Sequence, residues 1–344
     1  MDASKCVTGA TGFIAGHLTE QLMTAGYSVR GTVRDIQSAD AGALRRQLHG
    51  DERLELVHAD LLEPGSFDRA VDGCDTVFHV ASPFVLTVAD PARDLVAPAV
   101  AGTLNILRAC LSSPTTTRVV LTSSIAALVG MPDGGVITES EWNTHSGVDS
   151  NPYYYAKTEA ERAAWRFMDE HHPQFDLVVI NPGQVLGPSH RTTVGTSVAN
   201  IRDLMTGAIP AITDLDVPYV DVRDVADAHI RASEIAAAHG RYLCVAGVIT
   251  TRQLVETIKS LGYDGYSFPR LPLDSPTGTR IARIVIKTQP RGLRQYLQAF
   301  IGRRLVIDTT RIRNELHVEF RPLEDTIRDT IQDLAAKRHI PPTP

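Results

Sequence analysis

The sequence predicts an α/β protein: a doubly wound parallel sheet with a smaller C-terminal substrate-binding lobe. Short apolar runs alternate with helical patterns through the first half of the chain, the order that builds parallel sheets through right-handed crossovers. Several of these runs are rich in Val and Ile and lack polar alternation, as strands do when helices cover both faces. The first run passes straight into a glycine-rich turn that opens the first helix.

Taken in order, strands are expected over residues 5–8, 28–33, 54–58, 76–80, 118–123 and 177–181, and helices over 12–25, 41–48, 91–110 and 152–171. Beyond Asn181 the rhythm changes, and Pro182, Pro188, Pro210 and Pro218 punctuate the chain. Helices are expected over 197–206, 222–237, 251–261 and 323–337, whereas 274–304 mixes Pro, Gly and basic residues and is assigned no element. The expected division is a sheet domain over 1–181, with 217–245 returning to it, and a smaller lobe over 182–216 and 246–344. A length of 344 residues is enough for both.

Hydrophobic residues make up 43% and charged residues 22%, a globular balance that excludes disorder and fibrous repeats. A net charge of −6 supplies no footprint for nucleic acid or an anionic membrane, so neither partner is expected. The longest uncharged stretches, such as 119–132, are too short to span a bilayer. A strand is expected from residue 5, almost at the first residue, so no signal peptide is expected. Cys6, Cys74, Cys110 and Cys244 are far apart and form no C-x-x-C pair. No disulfide framework or metal site is expected, and the simplest location is cytoplasmic.

Thr8-Gly9-Ala10-Thr11-Gly12-Phe13-Ile14-Ala15-Gly16 follows the first strand. Glycines three apart let the backbone turn tightly and approach a pyrophosphate, and the next helix offers its N-terminal N–H groups and dipole to the anion. A dinucleotide-binding (Rossmann) fold then needs a reader of the adenosine ribose at the tip of the second strand. Arg34 stands there, and a guanidinium favours a 2′-phosphate, so the expected cofactor is NADP(H). Asp35 is the competing reader, and would accept from a free ribose hydroxyl. Asp60-Leu61 is placed to meet the adenine, and His79-Val80-Ala81-Ser82-Pro83 to line the cofactor cleft.

Tyr153 and Lys157 are four residues apart, on one helix face. A phenol near pKa ~10 is a poor acid at neutral pH. An ammonium beside it, with a positively charged oxidised nicotinamide, favours phenolate and is expected to lower that pKa. Ser124 ends the segment Leu121-Thr122-Ser123-Ser124. Its hydroxyl can bond a substrate carbonyl oxygen and orient it toward the phenol. Ser123 reads as a turn or helix cap.

The order of these motifs resembles that of the extended short-chain dehydrogenases/reductases. Thr32-Val33-Arg34-Asp35 and residues 220–229 narrow the resemblance to the dihydroflavonol 4-reductase-like branch. Within it the chain is most similar to NADPH-dependent aldehyde and ketone (carbonyl) reductases. The resemblance implies that Gly9, Gly12, Phe13, Ile14, Arg34, Asp60, Leu61, Ala81 and Ser82 contact NADP(H), as do Tyr153 and Lys157. It places Pro182 and Val185 beside the nicotinamide and makes Ser197 a lesser contact. It also implies a catalytic triad of Ser124, Tyr153 and Lys157, with the tyrosine giving a proton to the carbonyl oxygen as hydride reaches carbon. The implied partner is a small-molecule carbonyl substrate, and the implied assembly a monomer or homodimer.

Three positions depart from the pattern. Ala15 replaces the third glycine, which the helix–sheet contact tolerates. Val129 stands where plant dihydroflavonol reductases usually carry Asn, which weakens the case for a polyhydroxylated substrate. Pro152 and Tyr154 stand where cinnamoyl-CoA reductases carry Trp and Cys, which disfavours a CoA thioester. The substrate pocket is expected between residues 82–86, 126–131, Tyr154, Gln184 and 193–205, with an apolar lining. His79 reads as structural, and Asn105 as either a water relay behind Lys157 or a packing residue. The alternatives are a cinnamoyl-CoA or dihydroflavonol-type reductase, or hydroxysteroid dehydrogenase or nucleotide-sugar epimerase chemistry, although the last two usually carry an acid at the position of Arg34. A third class is a redox-sensing binding protein that has lost turnover.

Overall fold

The computed structural model describes residues 4–82 and 90–342, so residues 83–86 of the expected pocket lie outside the described residues. In chain order the elements begin with β1 (Ser4–Val7), α1 (Phe13–Thr24), β2 (Val29–Val33), α2 (Ala39–Gln47), β3 (Leu54–His58), α3 (Asp68–Val71) and β4 (Cys74–His79). They continue with α4 (Ala97–Ser112), β5 (Arg118–Thr122), β6 (Val136–Ile137), α5 (Pro152–His171), β7 (Asp176–Pro182), β8 (Gln184–Leu186) and α6 (Thr196–Met205). Next come β9 (Ala211–Thr213), β10 (Asp216–Asp221), α7 (Val222–Glu234), β11 (Gly240–Cys244), β12 (Gly247–Thr250) and α8 (Thr251–Ile258). The chain closes with β13 (Leu271–Leu273), α9 (Pro276–Val285), α10 (Arg291–Phe300), β14 (Val306–Ile307), α11 (Thr310–Glu315) and α12 (Leu323–Ala336).

Among the described residues, seven parallel strands form one sheet in the order β3-β2-β1-β4-β5-β7-β11. The unbroken apolar runs are explained by burial on both faces. Val7, Phe78, Val120 and Ile180 belong to a core that includes residues of α1 and α7. Their neighbours Cys6, Val77, Val119 and Val179 belong to a second core that includes residues of α4 and α5. The helical stretch Ala92–Ser112 is long and apolar enough to cross a membrane by length and composition. Here Ile106, Leu107 and Cys110 of α4 are instead buried in the second core, with Ala164 and Phe167 of α5.

The strand order reverses between β1 and β4, which opens a crevice beyond their carboxyl ends. Both Gly9 and Ala81 lie at that crevice, because each follows directly on one of these strands. A smaller sheet, β12-β10-β8, lies outside the main one. Thus Asp216–Asp221 pairs with the lobe strands, while α7 packs on the main sheet and β11 joins its edge beside β7. The strand Gly240–Cys244 was not expected from sequence. Its five residues are too few for a period to show, and it is buried at the sheet edge by pairing with β7 and packing against α11.

The unassigned stretch 274–304 contains α9 and α10. Both helices are amphipathic, but Ile281, Ile284, Val285 and Leu293 remain exposed, so their apolar positions are only partly covered.

Candidate active site

The phosphate loop has the backbone geometry that a pyrophosphate requires. Gly9 sits at φ +64°, and a Cβ there would lie 3.1 Å from the Ala81 Cβ. Gly12 caps α1 in extended conformation, with no side chain over the helix N-terminus. The first N–H groups of α1 therefore lack side-chain capping and are suited to an anion. Phe13 and Ile14 pack their side chains into the cores, so their backbone is what they offer to phosphate.

Thr8 holds the loop to β4. Its hydroxyl accepts the Val80 and Ala81 N–H groups at 3.0 and 2.9 Å and lies 3.0 Å from His79 Nδ1. With both amides donating to the Thr8 oxygen, its proton is directed to His79. Burial drives the His79 pKa down to about 3, so this histidine is a neutral brace. The Gly9 N–H donates to Thr32 Oγ1 at 3.0 Å, which joins β2 to the same loop.

At the tip of β2, Arg34 is exposed, and among the described residues its guanidinium has no hydrogen-bond or ion-pair partner. Asp35 accepts the Gln37 N–H at 2.8 Å, so its carboxylate is engaged in its own turn. These arrangements separate the two competing readers of the ribose. Asp60 accepts the Leu62 N–H at 2.8 Å, and Leu61 packs where a Cβ on Gly102 would stand. Asn105 donates to the Glu63 carbonyl at 2.8 Å and accepts from the Gly65 N–H. It therefore pins the loop that carries Asp60 and Leu61, in keeping with the packing reading.

The helix carrying Tyr153 and Lys157 starts abruptly. Asn151 adopts the left-handed conformation at φ +60°, and Pro152 follows at the first helical position. Gln295 of α10 accepts the Asn151 N–H at 3.3 Å, and Arg291 pairs with Asp149 at 2.8 Å. The previously unassigned segment thus helps set the start of the tyrosine-bearing helix.

Tyr153 shares a hydrogen bond with Ser124. Ser124 also accepts the Ala126 N–H at 3.2 Å, so it is a cap as well as the tyrosine's partner. Lys157 donates to Ser82 Oγ at 3.1 Å, which links α5 to the end of β4.

The expected lowering of the tyrosine pKa is not what the protein alone produces. Burial pushes Tyr153 up to about 12, against a smaller lowering by Ser124. Burial also drives Lys157 down to about 8, with Glu161 pulling the other way. Desolvation penalises both charged forms and outweighs any attraction between ammonium and phenolate. At neutral pH Tyr153 is therefore a neutral phenol, which is the state that can give up a proton.

Sequence reasoning missed the support beneath this helix. Glu161 has no exposed side-chain surface and pairs with Arg241 of β11 at 2.6 Å. The same carboxylate accepts from Ser123 at 2.5 Å, Asn181 at 2.8 Å and Trp165 at 3.3 Å. Asn181 also donates to the Ser124 carbonyl at 3.2 Å. Arg241 stacks over Trp142, 4.0 Å from the ring centroid. Ser123 is thus a ligand of Glu161, and the network holds the backbone of Ser124. The nearest sequence signal is a glutamate four residues after Lys157, on the same helix face.

Tyr154 packs with Tyr296 and Phe300 of α10, at ring-centroid distances of 6.2 and 5.3 Å. Ile125, Leu128 and Val129 belong to the same apolar cluster. Tyr296 and Phe300 were not anticipated, although their i, i+4 spacing is a helical one.

Other expected lining residues turn elsewhere. Val198, Ile201, Leu204 and Met205 of α6 fill the lobe core with residues of α8 and α12. Pro182 closes β7, and Val185 lies buried on β8. Ser197 is in the first turn of α6, where its carbonyl accepts from Gln184 at 3.2 Å.

Residues 6–246 match the NAD dependent epimerase/dehydratase family. The chain belongs to that family. Cinnamoyl-CoA reductase CAD2 of Medicago truncatula is 37% identical over 340 residues, covering 97% of this chain and 96% of its own length. Tetraketide alpha-pyrone reductase 1 of Arabidopsis thaliana is 38% identical, over 79% of this chain and 84% of its own. The crystal structure of Gre2 in complex with NADPH from Candida albicans is similar at a TM-score of 0.80 and 31% identity, covering 97% of this chain and 99% of that one. These relatives agree with the resemblance to reductases drawn from the motifs.

Proposed function

We propose that this NADP(H)-dependent oxidoreductase reduces the carbonyl group of hydrophobic aldehydes and ketones. The observation that carries the reading is the neutral Tyr153 phenol, hydrogen-bonded to Ser124, next in sequence to an aromatic cluster of Tyr154, Tyr296 and Phe300. The bare phosphate loop and the unpaired Arg34 would hold the pyrophosphate and the 2′-phosphate of NADP(H). When bound, the cofactor supplies hydride to the carbonyl carbon. Ser124 orients the carbonyl oxygen, and Tyr153 gives it a proton. Lys157, held by Ser82, contributes positive charge below its pKa of about 8 and offers donors for ribose hydroxyls. The apolar cluster beside Tyr154 favours uncharged hydrophobic substrates over sugars. Cytoplasmic location accords with four free, buried cysteines.

A second reading, an acyl-CoA thioester substrate, is favoured by 37% identity to a cinnamoyl-CoA reductase over 97% of the chain. Pro152 and Tyr154 argue against it, since Tyr154 is committed to the aromatic cluster. NADPH consumption measured over aromatic aldehydes, ketoesters, dihydroflavonols and acyl-CoA thioesters separates the readings. Turnover confined to charged or sugar-like compounds defeats the proposal. Tyr153→Phe is expected to lower kcat by about 10²–10⁴-fold while leaving NADPH affinity nearly intact.

A further inference from the structure

On the far side of the phosphate loop, His17 and Glu20 of α1 meet His190, from the segment between β8 and α6. The His17 and His190 rings lie 3.9 Å apart between centroids. One ligand atom from each of the three residues lies within 4.8 Å of the others. We propose that these residues form a binding site for a divalent transition-metal ion of the zinc type, which clamps the lobe to the helix that carries the phosphate loop.

The hydrogen bonds of His17 carry the argument. Its Nε2 lies 2.8 Å from the Pro188 carbonyl, which can only accept, so the ring proton is on Nε2. The Nδ1 lone pair is then left facing Glu20 Oε2 at 3.8 Å. The His17 ring is buried and the Glu20 side chain is 40% exposed, so the two acceptors converge at the edge of the buried region, where a cation can enter between them. A backbone carbonyl that fixes the distal N–H is also the usual support of a metal-bound imidazole.

The third ligand lies close by. His190 Nε2 is 3.2 Å from Glu20 Oε2. Zinc bonds of about 2.0–2.1 Å at tetrahedral angles place ligand atoms roughly 3.3 Å apart. The observed separations are 3.2 and 3.8 Å to Glu20 and within 4.8 Å between the histidines, so the side chains must close on the ion. Ligation through His190 Nε2 moves its proton to Nδ1, where the Gln47 side-chain amide lies at 2.6 Å and presents its oxygen only by giving up its hydrogen bond to Glu20 Oε1 at 3.4 Å. The nearby ammonium of Lys337 is paired with Asp333 at 2.6 Å, so it does not leave an uncompensated charge against the ion. Two imidazoles and one carboxylate select zinc, cobalt or nickel over magnesium or calcium.

The test uses the full chain, freed of metal by a chelator and free of NADPH. Titration with Zn²⁺ by calorimetry, and with Co²⁺ by its visible absorption, is expected to show one saturable site. At about 100 times the Kd, Zn²⁺ should raise the Tm by about 4 °C. His190→Gln and Glu20→Gln, both at partly exposed positions, should each weaken binding at least tenfold and abolish the Tm rise. Circular dichroism checks that each variant is folded. His171→Gln, at an exposed histidine elsewhere, should bind as the parent does. Absence of saturable binding up to millimolar Zn²⁺ overturns the proposal. So does binding that survives both His190→Gln and Glu20→Gln, because the ion would then be held elsewhere.

Discussion

Replacing Arg34 by alanine tests how the cofactor's adenosine end is read. Arg34 is exposed at the tip of β2 and unpaired among the described residues, while its neighbour Asp35 is engaged by Gln37. Two unit charges 4 Å apart gain about 1 kcal/mol in bulk water and about 4 kcal/mol at an effective dielectric near 20. An exposed guanidinium belongs toward the lower end of that range. A charge-assisted hydrogen bond contributes about 1.5–3 kcal/mol. Taking that interval, Arg34→Ala should lower kcat/KM for NADPH by about 10- to 150-fold. NADH has no 2′-phosphate, so its kcat/KM should change by less than about 3-fold. Initial-rate kinetics with each coenzyme against one good aldehyde measure both numbers. The NADPH advantage of the parent protein should also shrink with added salt, because an exposed pair is screened over about 8 Å at physiological ionic strength. If the NADPH-to-NADH ratio is the same in Arg34→Ala as in the parent, the phosphate is held by another group and the reasoning about this strand tip is wrong.

Other outcomes follow from the same geometry. Glu161→Ala strands Arg241, whose side chain is 8% exposed, and should destabilise the fold by about 3–5 kcal/mol in urea unfolding; a loss under about 1 kcal/mol contradicts the network's role. For catalysis, Lys157 is charged below its pKa of about 8 and neutral above it, so kcat/KM for carbonyl reduction should fall as pH rises through that value. Lys157→Arg, if it supports turnover, should move that limb upward because guanidinium stays charged; a limb unmoved in that variant assigns it to another group. Gly9→Ala forces a side chain into φ +64° and a Cβ to 3.1 Å from Ala81. It should lower stability by about 1–2 kcal/mol and weaken NADPH binding measured by fluorescence titration.

Much of the site was legible because its chemistry is local. The glycine-rich turn, Arg34 and the Tyr153–Lys157 spacing each lie within a few residues of a strand end or helix start, where periodicity is informative. The support around them was not legible, because its partners are distant in the chain. Glu161 meets Arg241 across 80 positions, and Gln295 reaches Asn151 across 144. The expected lowering of the Tyr153 pKa counts on a bound oxidised nicotinamide, and in the protein alone the shift runs the other way. A sequence displays the charge of Lys157 but not the burial that penalises phenolate, and burial dominates here.

By itself the sequence determined the parallel α/β architecture, the anion-binding turn and the pairing of a phenol with a lysine, since each follows from short-range pattern and covalent spacing. Tertiary structure alone decided that β11 completes the main sheet, that α10 closes an aromatic cluster onto Tyr154, and that a buried glutamate braces the serine. Those outcomes depend on which surfaces lose water when distant segments meet. Free energies of burial and charge pairing belong to the assembled contact, and no local stretch of residues contains them.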